Sequence, residues 1–166
     1  MAETVHIHHP FAPVHDKDSR VLILGSFPSV ISRNVMFYYG NPQNRFWKVL
    51  SMVFDDHCGN TNDEKKAFCL KHHIALWDVI QECTITGSSD SSIKEVKVND
   101  IAGLCNKTRI SHIFTTGGKA ASLYQRYVVC DVQMTPLPST SGANARMHIE
   151  DLVQKYQEIR TYAEKN

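Results

Sequence analysis

RVLILGSFPS, residues 20–29, decides the fold. Arg20 leads four apolar residues, Val21-Leu22-Ile23-Leu24, with no polar alternation among them. A strand that is apolar on both faces needs cover on both, as in a parallel sheet. Gly25-Ser26-Phe27-Pro28-Ser29 then ends the run in a turn. Similar short apolar runs predict strands at 74–79 (IALWDV), 110–115 (ISHIFT) and 128–134 (VVCDVQM). A long loop is expected from residue 25 to Asn41-Pro42, which reads as a helix start, Asn as cap and Pro at the first helical position. Phe46, Val49, Leu50 and Val53 follow at helical spacing, giving a helix over about 42–54. Thr61 to Glu64 fits a capping box for a helix reaching about Lys71. Asn99-Asp100 caps a short helix, Gly117-Gly118 opens another, and Ile149, Leu152, Val153, Tyr156 and Ile159 mark the last. Thr84 to Ser92 reads as a polar loop.

Strands alternating with helices imply right-handed crossovers and an α/β fold. The expectation is a three-layer α/β/α sandwich around a four-stranded, mostly parallel sheet. All 166 residues form one domain, with residues 1–18 as an extended N-terminal arm. In such sheets ligands bind at the carboxyl ends of strands, where the strand order reverses. The most polar strand-to-helix turns are 25–29 and 135–142, so the expected pocket lies between them.

Apolar residues at 42% and charged residues at 21% are typical of globular proteins and exclude disordered, collagen-like and coiled-coil classes. Lys+Arg is 18 against Asp+Glu 17, so a nucleic-acid partner would have to meet a local patch, not a global positive field. No run approaches the roughly 20 apolar residues of a membrane span, and the His- and Pro-rich start has no signal-peptide core. The expected location is therefore internal: cytoplasm or nucleoid, or nucleus in a eukaryote. The five Cys include no CxxC and read as reduced thiols. His6, His8 and His9 cluster in the arm, but no second group has ligand spacing, so no metal and no cofactor are expected. GxGxxG, GxxxxGKS and GxSxG are absent, which removes the common nucleotide and hydrolase sites.

GSFPS (25–29), YYGNPQNRFW (38–47) and LPSTSGANAR (137–146) together resemble the uracil-DNA glycosylase superfamily, and within it the hypoxanthine-DNA (DNA-deoxyinosine) glycosylase branch. His9-Pro10-Phe11, Ala75-Leu76-Trp77-Asp78-Val79, Asp90-Ser91-Ser92-Ile93 and Thr115 to Ala120 extend the likeness across about residues 8–146. The order and spacing of these short motifs make it specific. It implies an enzyme that extrudes a damaged nucleotide from double-stranded DNA and hydrolyses its N-glycosidic bond, and since no residue recommends itself as a Schiff-base lysine, a monofunctional one without strand cleavage is expected. Hypoxanthine is the expected base and uracil or xanthine the alternative. A non-catalytic damaged-DNA binder of the same fold is the competing class. The enzyme is expected to act as a monomer.

The resemblance also assigns residues. Mismatch-specific uracil glycosylases carry a water-orienting Asn in the first motif, where this chain has Phe27. An Asn of the NPQNRFW segment takes over that role, Asn44 first and Asn41 second. A carboxamide is a poor base, so it would orient and polarise water. Gly25, Ser26, Phe27 and Pro28 line the base pocket, Tyr39 stacks on the base, and Gly40 lets backbone approach its edge. Ser29, Lys119, Ser139, Thr140, Ser141, Asn144 and Arg146 contact DNA, chiefly its phosphates. Two departures stand out: Gly142 replaces the branch's usual Pro, and Ala143 is too small for the wedge that fills the gap left by an extruded base.

Overall fold

Val21–Gly25 forms the strand expected of its apolar run, and all five residues are buried. The computed structural model describes residues 3–86 and 92–165. In chain order the elements are β1 (Thr4–His8), β2 (Val21–Gly25), α1 (Val30–Val35), α2 (Phe46–Phe54), α3 (Asn62–Lys71), β3 (Ile74–Asp78) and β4 (Ile80–Thr86). They continue with β5 (Lys94–Val98), α4 (Ile101–Asn106), β6 (His112–Thr116), α5 (Gly118–Tyr127), β7 (Met134–Leu137) and α6 (Ile149–Ala163).

Four strands form one sheet in the order β3-β2-β6-β7, all parallel. Successive residues of a strand face opposite sides. Val21 and Ile23 therefore join Phe46, Leu50, Leu152 and Tyr156 from α2 and α6. Leu22 and Leu24 join Ile101, Leu104 and Leu123 from α4 and α5. Each fully buried Leu, Ile or Phe contributes about 1.5–3 kcal/mol, and β2 supplies such residues to both layers. The chain leaves β2 for β3 on one side and reaches β6 on the other, so the strand order reverses between β2 and β6. The turn after β2 opens at that point.

Four expectations about elements need correction. The fourth strand is Met134–Leu137, not 128–134: Val128 caps α5 and Val129 is 90% exposed. Pro136 is tolerated in β7 because this edge strand pairs with β6 alone. The helix expected from residue 42 begins at Phe46, because Asn41 Oδ1 accepts from the Gln43 N–H at 2.8 Å and closes a turn there. Within the expected long loop, Val30–Val35 is helical, started by Ser29 Oγ accepting from the Ser32 N–H at 3.1 Å. Thr84 to Thr86 belongs to β4, while residues 87–91 of the expected loop, including Asp90 and Ser91, lie outside the described residues. Within the extended arm, β1 pairs antiparallel with β4 from Thr4↔Thr86 to His8↔Glu82. The second sheet, β1-β4-β5, was hidden because its outer strands are polar and exposed.

Candidate active site

A cleft of about 190 Å³ opens at the carboxyl ends of β2, β3 and β6. It is lined by Gly25 to Ser29, Ser32, Tyr38, Tyr39, Asn41, Asn44, Asp78, Thr116 and Ser139 to Ser141. The two motif loops separated by about a hundred residues thus meet across one opening.

Its floor is acidic. Asp78 ends β3, and its side chain is only 5% exposed. Asp78 Oδ2 lies 2.7 Å from His9 Nε2, and the His9 side chain is 4% exposed. His9 Nδ1 lies 2.8 Å from the Phe11 carbonyl oxygen. Asp78 Oδ1 is turned toward Gly25, where a Cβ would lie 2.5 Å from it. Glycine is therefore required here by space, since any side chain would displace the carboxylate. The sequence placed Asp78 and His9 within the resemblance and gave neither a role. The signal was the acidic residue ending an otherwise apolar strand.

Aromatic rings close one side. Tyr39 stacks face to face on Phe46, with centroids 3.7 Å apart and planes 12° from parallel. Its hydroxyl bonds Thr116 Oγ1 at 2.9 Å. Burial, then the Asp78 charge, raise its pKa well above the usual phenol value, so Tyr39 stays neutral. One face of the ring is thus covered by protein. Tyr39 sits at φ 52°, a left-handed conformation held by these contacts. Gly40 does not line the cleft. A Cβ there would lie 2.5 Å from Val35 Cγ2 and 3.3 Å from the Ser32 Cα, so this glycine lets α1 pack closely. Phe46 and Trp47 are buried core, as their helical spacing suggested.

The mouth is built of clamps. Asn44 Oδ1 accepts from the Phe46 N–H at 2.9 Å and from Thr140 Oγ1 at 2.7 Å. A carbonyl oxygen has two lone pairs, so the oxygen expected to polarise water is already engaged. Asn41 Oδ1 accepts only from Gln43 N–H, at 2.8 Å, among the described residues. Arg45, which sequence reasoning missed, reaches across to the second loop. Its guanidinium donates to the carbonyls of Ser141 at 3.2 Å, Asn144 at 2.9 Å and Met147. Its own N–H donates to the Thr140 carbonyl at 3.0 Å. Tyr156 Oη donates to the Pro138 carbonyl at 2.6 Å from below.

The residues expected to contact DNA divide into two sets. Ser139, Thr140 and Ser141 line the cleft and Ser29 stands exposed at its rim. Lys119 is exposed in the first turn of α5, after Gly117. Arg146 is exposed beyond the loop, whereas Asn144 turns inward, its Nδ2 donating to the Ser139 carbonyl at 3.0 Å. Asn144 therefore braces the loop's shape. Away from the cleft, His6, His8 and Glu82 are the one group of three potential metal ligands among the described residues. Both His rings lie against the Glu82 carboxylate, at 3.4 and 2.9 Å, as cross-strand pairs on the exposed sheet.

A buried carboxylate, an aromatic wall and hydroxyl-rich loops at a parallel sheet's switch point define a pocket for a flat, hydrogen-bonding heterocycle on a polyanionic chain. The model of the Uracil DNA glycosylase superfamily matches residues 12–160, and the chain belongs to that superfamily. A protein of Methanosarcina acetivorans named hypoxanthine DNA glycosylase is 36% identical over 82% of this chain and 87% of its own length. One of the same name from Methanosarcina barkeri is 31% identical over the same shares. The fold also matches a solution NMR structure from Methanosarcina acetivorans, titled as a candidate uracil DNA glycosylase. The TM-score is 0.78 and the identity 30%, covering 93% of this chain and 97% of that one.

Proposed function

We propose that this protein is a monofunctional DNA glycosylase that removes hypoxanthine from deoxyinosine in double-stranded DNA. The observation that carries this is the single cleft in which both motif loops, Tyr39 and the Asp78 floor meet. The relatives named hypoxanthine DNA glycosylase support the choice of base. The extruded nucleotide enters base first. Tyr39, whose ring lines the cleft, stacks on it, worth roughly 1–3 kcal/mol, and Phe27 and Pro28 line its path. Ser29, Ser139, Ser141, Lys119 and Arg146 hold phosphates outside.

The glycosidic bond breaks largely before water attacks, leaving positive charge on the sugar and negative charge on the base. The water therefore needs positioning more than deprotonation. Asn41 is the better holder, because its Oδ1 keeps one lone pair for a water proton. Asn44 fixes the loop through Thr140 and presents only its NH2 group. One chain lines the whole cleft, so a monomer suffices, acting wherever genomic DNA lies. No helix among the described residues is long and apolar enough to cross a membrane.

Duplexes carrying one inosine, uracil or xanthine test this. Free hypoxanthine should appear, with strands breaking only after alkali. Release of uracil alone, or direct strand cleavage, would overturn it.

A further inference from the structure

Side chains of β1 alternate between two faces. Ile7 packs on the core cluster that holds Cys83 and Ile85. His6 and His8, two residues apart, share the other face. His8 is directly opposite Glu82 of β4, and His6 is opposite Thr84. One ligand atom from each of His6, His8 and Glu82 lies within 4.8 Å of the other two. Glu82 Oε1 is 3.4 Å from His6 Nε2, and Oε2 is 2.9 Å from His8 Nδ1. Lys97 flanks Glu82 on its other side, in β5, yet the two form no ion pair among the described residues. Both carboxylate oxygens thus face the imidazoles and not the ammonium.

We infer that His6, His8 and Glu82 form a zinc site that staples the N-terminal arm to β4. Two imidazole nitrogens and one carboxylate oxygen are a common zinc set. Magnesium and calcium prefer oxygen shells and do not suit it. Around a tetrahedral zinc with bonds of about 2.0–2.2 Å, neighbouring donors stand roughly 3.3–3.6 Å apart. The gap between Glu82 Oε1 and His6 Nε2 already has that size. Water can take the fourth place, because the His6 and His8 side chains are 44% and 70% exposed. Spacing along the chain showed only the two histidines; the antiparallel register brings the third ligand to them.

β1 is an edge strand that pairs with β4 alone. The next residue, His9, donates its N–H to the Gln81 carbonyl at 2.7 Å, and its ring reaches Asp78 in the cleft. An ion shared by His8 and Glu82 therefore fixes the strand whose end enters the cleft.

Titration of the full chain with zinc, followed by calorimetry, tests this. One ion per chain should bind with a Kd on the order of micromolar, as suits three ligands and not a closed set of four. His6→Gln, His8→Gln and Glu82→Gln should each weaken binding at least about tenfold, the loss that even outer-shell partners cause. Melting curves without metal check that these variants keep the fold. At a hundredfold excess over Kd, zinc should raise the melting temperature of the unaltered protein by about 5 °C and leave that of His8→Gln unmoved. Amide exchange in β1 should slow in step. Cys130→Ser, which removes the only cysteine not buried among the described residues, should bind zinc as before. Undiminished affinity in His8→Gln, loss of binding in Cys130→Ser, no saturable binding, or unchanged exchange in β1 would overturn the inference.

Discussion

The mouth and the floor of the cleft use polar side chains in opposite ways. At the mouth, the Asn44 amide oxygen, the Thr140 hydroxyl and the terminal guanidinium nitrogens of Arg45 are engaged with one another's loops and carbonyls, while Arg45 Nε is buried without a partner among the described residues. At the floor, Asp78 is held on Oδ2 by His9, while its Oδ1, beside Gly25, takes no hydrogen bond among the described residues. The mouth is rich in recognisable motif residues, yet much of its chemistry is architectural. The floor has a single strand-end carboxylate and a histidine 69 positions away. Functional capacity follows from what remains unpaired after folding, not from the density of polar residues in a motif.

The largest effect should come from filling the floor. Gly25→Val places its Cβ 2.5 Å from Asp78 Oδ1 and displaces the carboxylate, so single-turnover base release should fall by at least about a hundredfold. Activity near normal would show that the base does not reach this depth. Next is Asn41→Ala, expected to slow base release by about ten- to a hundredfold, since it loses water positioning worth a general-catalysis contribution, with a loss of only about 1 kcal/mol of stability from the broken turn bond. If Asn44→Ala proves far slower than Asn41→Ala, the clamp described for Asn44 is incomplete and the two roles must be exchanged.

Arg45→Ala removes donors from three loop carbonyls and should cost about 2 kcal/mol in urea unfolding, with weaker duplex binding. Arg45→Lys should recover little, because an ammonium lacks the planar fork. Thr140→Val should cost less, about 1 kcal/mol, and its effect should not add to that of Asn44→Ala, since both break the same bond.

The smallest effect lies behind the cleft, in β6. His112 stacks on Tyr162 at 3.9 Å and bonds Thr135 Oγ1 at 2.7 Å. Burial lowers its pKa from the usual 6.5, so the folded chain takes up this proton later than the unfolded chain does. Stability should therefore fall as pH drops below about 6.5 and level off once the folded form is protonated too. Melting curves from pH 7.5 to 5 should show a shallower decline in His112→Gln than in the unaltered protein. An identical slope would assign the acid sensitivity elsewhere.

Much of this was legible beforehand. The unbroken apolar run at 21–24 demanded a strand covered on both faces, and the helical spacing from Phe46 demanded α2. The Thr61–Glu64 capping box formed because both halves of its pairing are local. Local pattern failed where long-range pairing governed. Polar β1 is a strand because β4 offers it backbone partners, and Pro136 is in a strand because β7 is an edge. Asn41 has the chemistry of a helix cap, but its side chain closes a turn one step earlier.

The sequence by itself determined the layers and the position of the cleft, because apolar periodicity and turn chemistry act over a few neighbouring residues, while the order and spacing of its motifs carried the family resemblance. Only the tertiary structure decided which polar atoms are already paired and which are left to meet a ligand. It joined His9 to Asp78 and Arg45 to the second loop, since hydrogen bonds between distant segments depend on distance in space, which no spacing along the chain records.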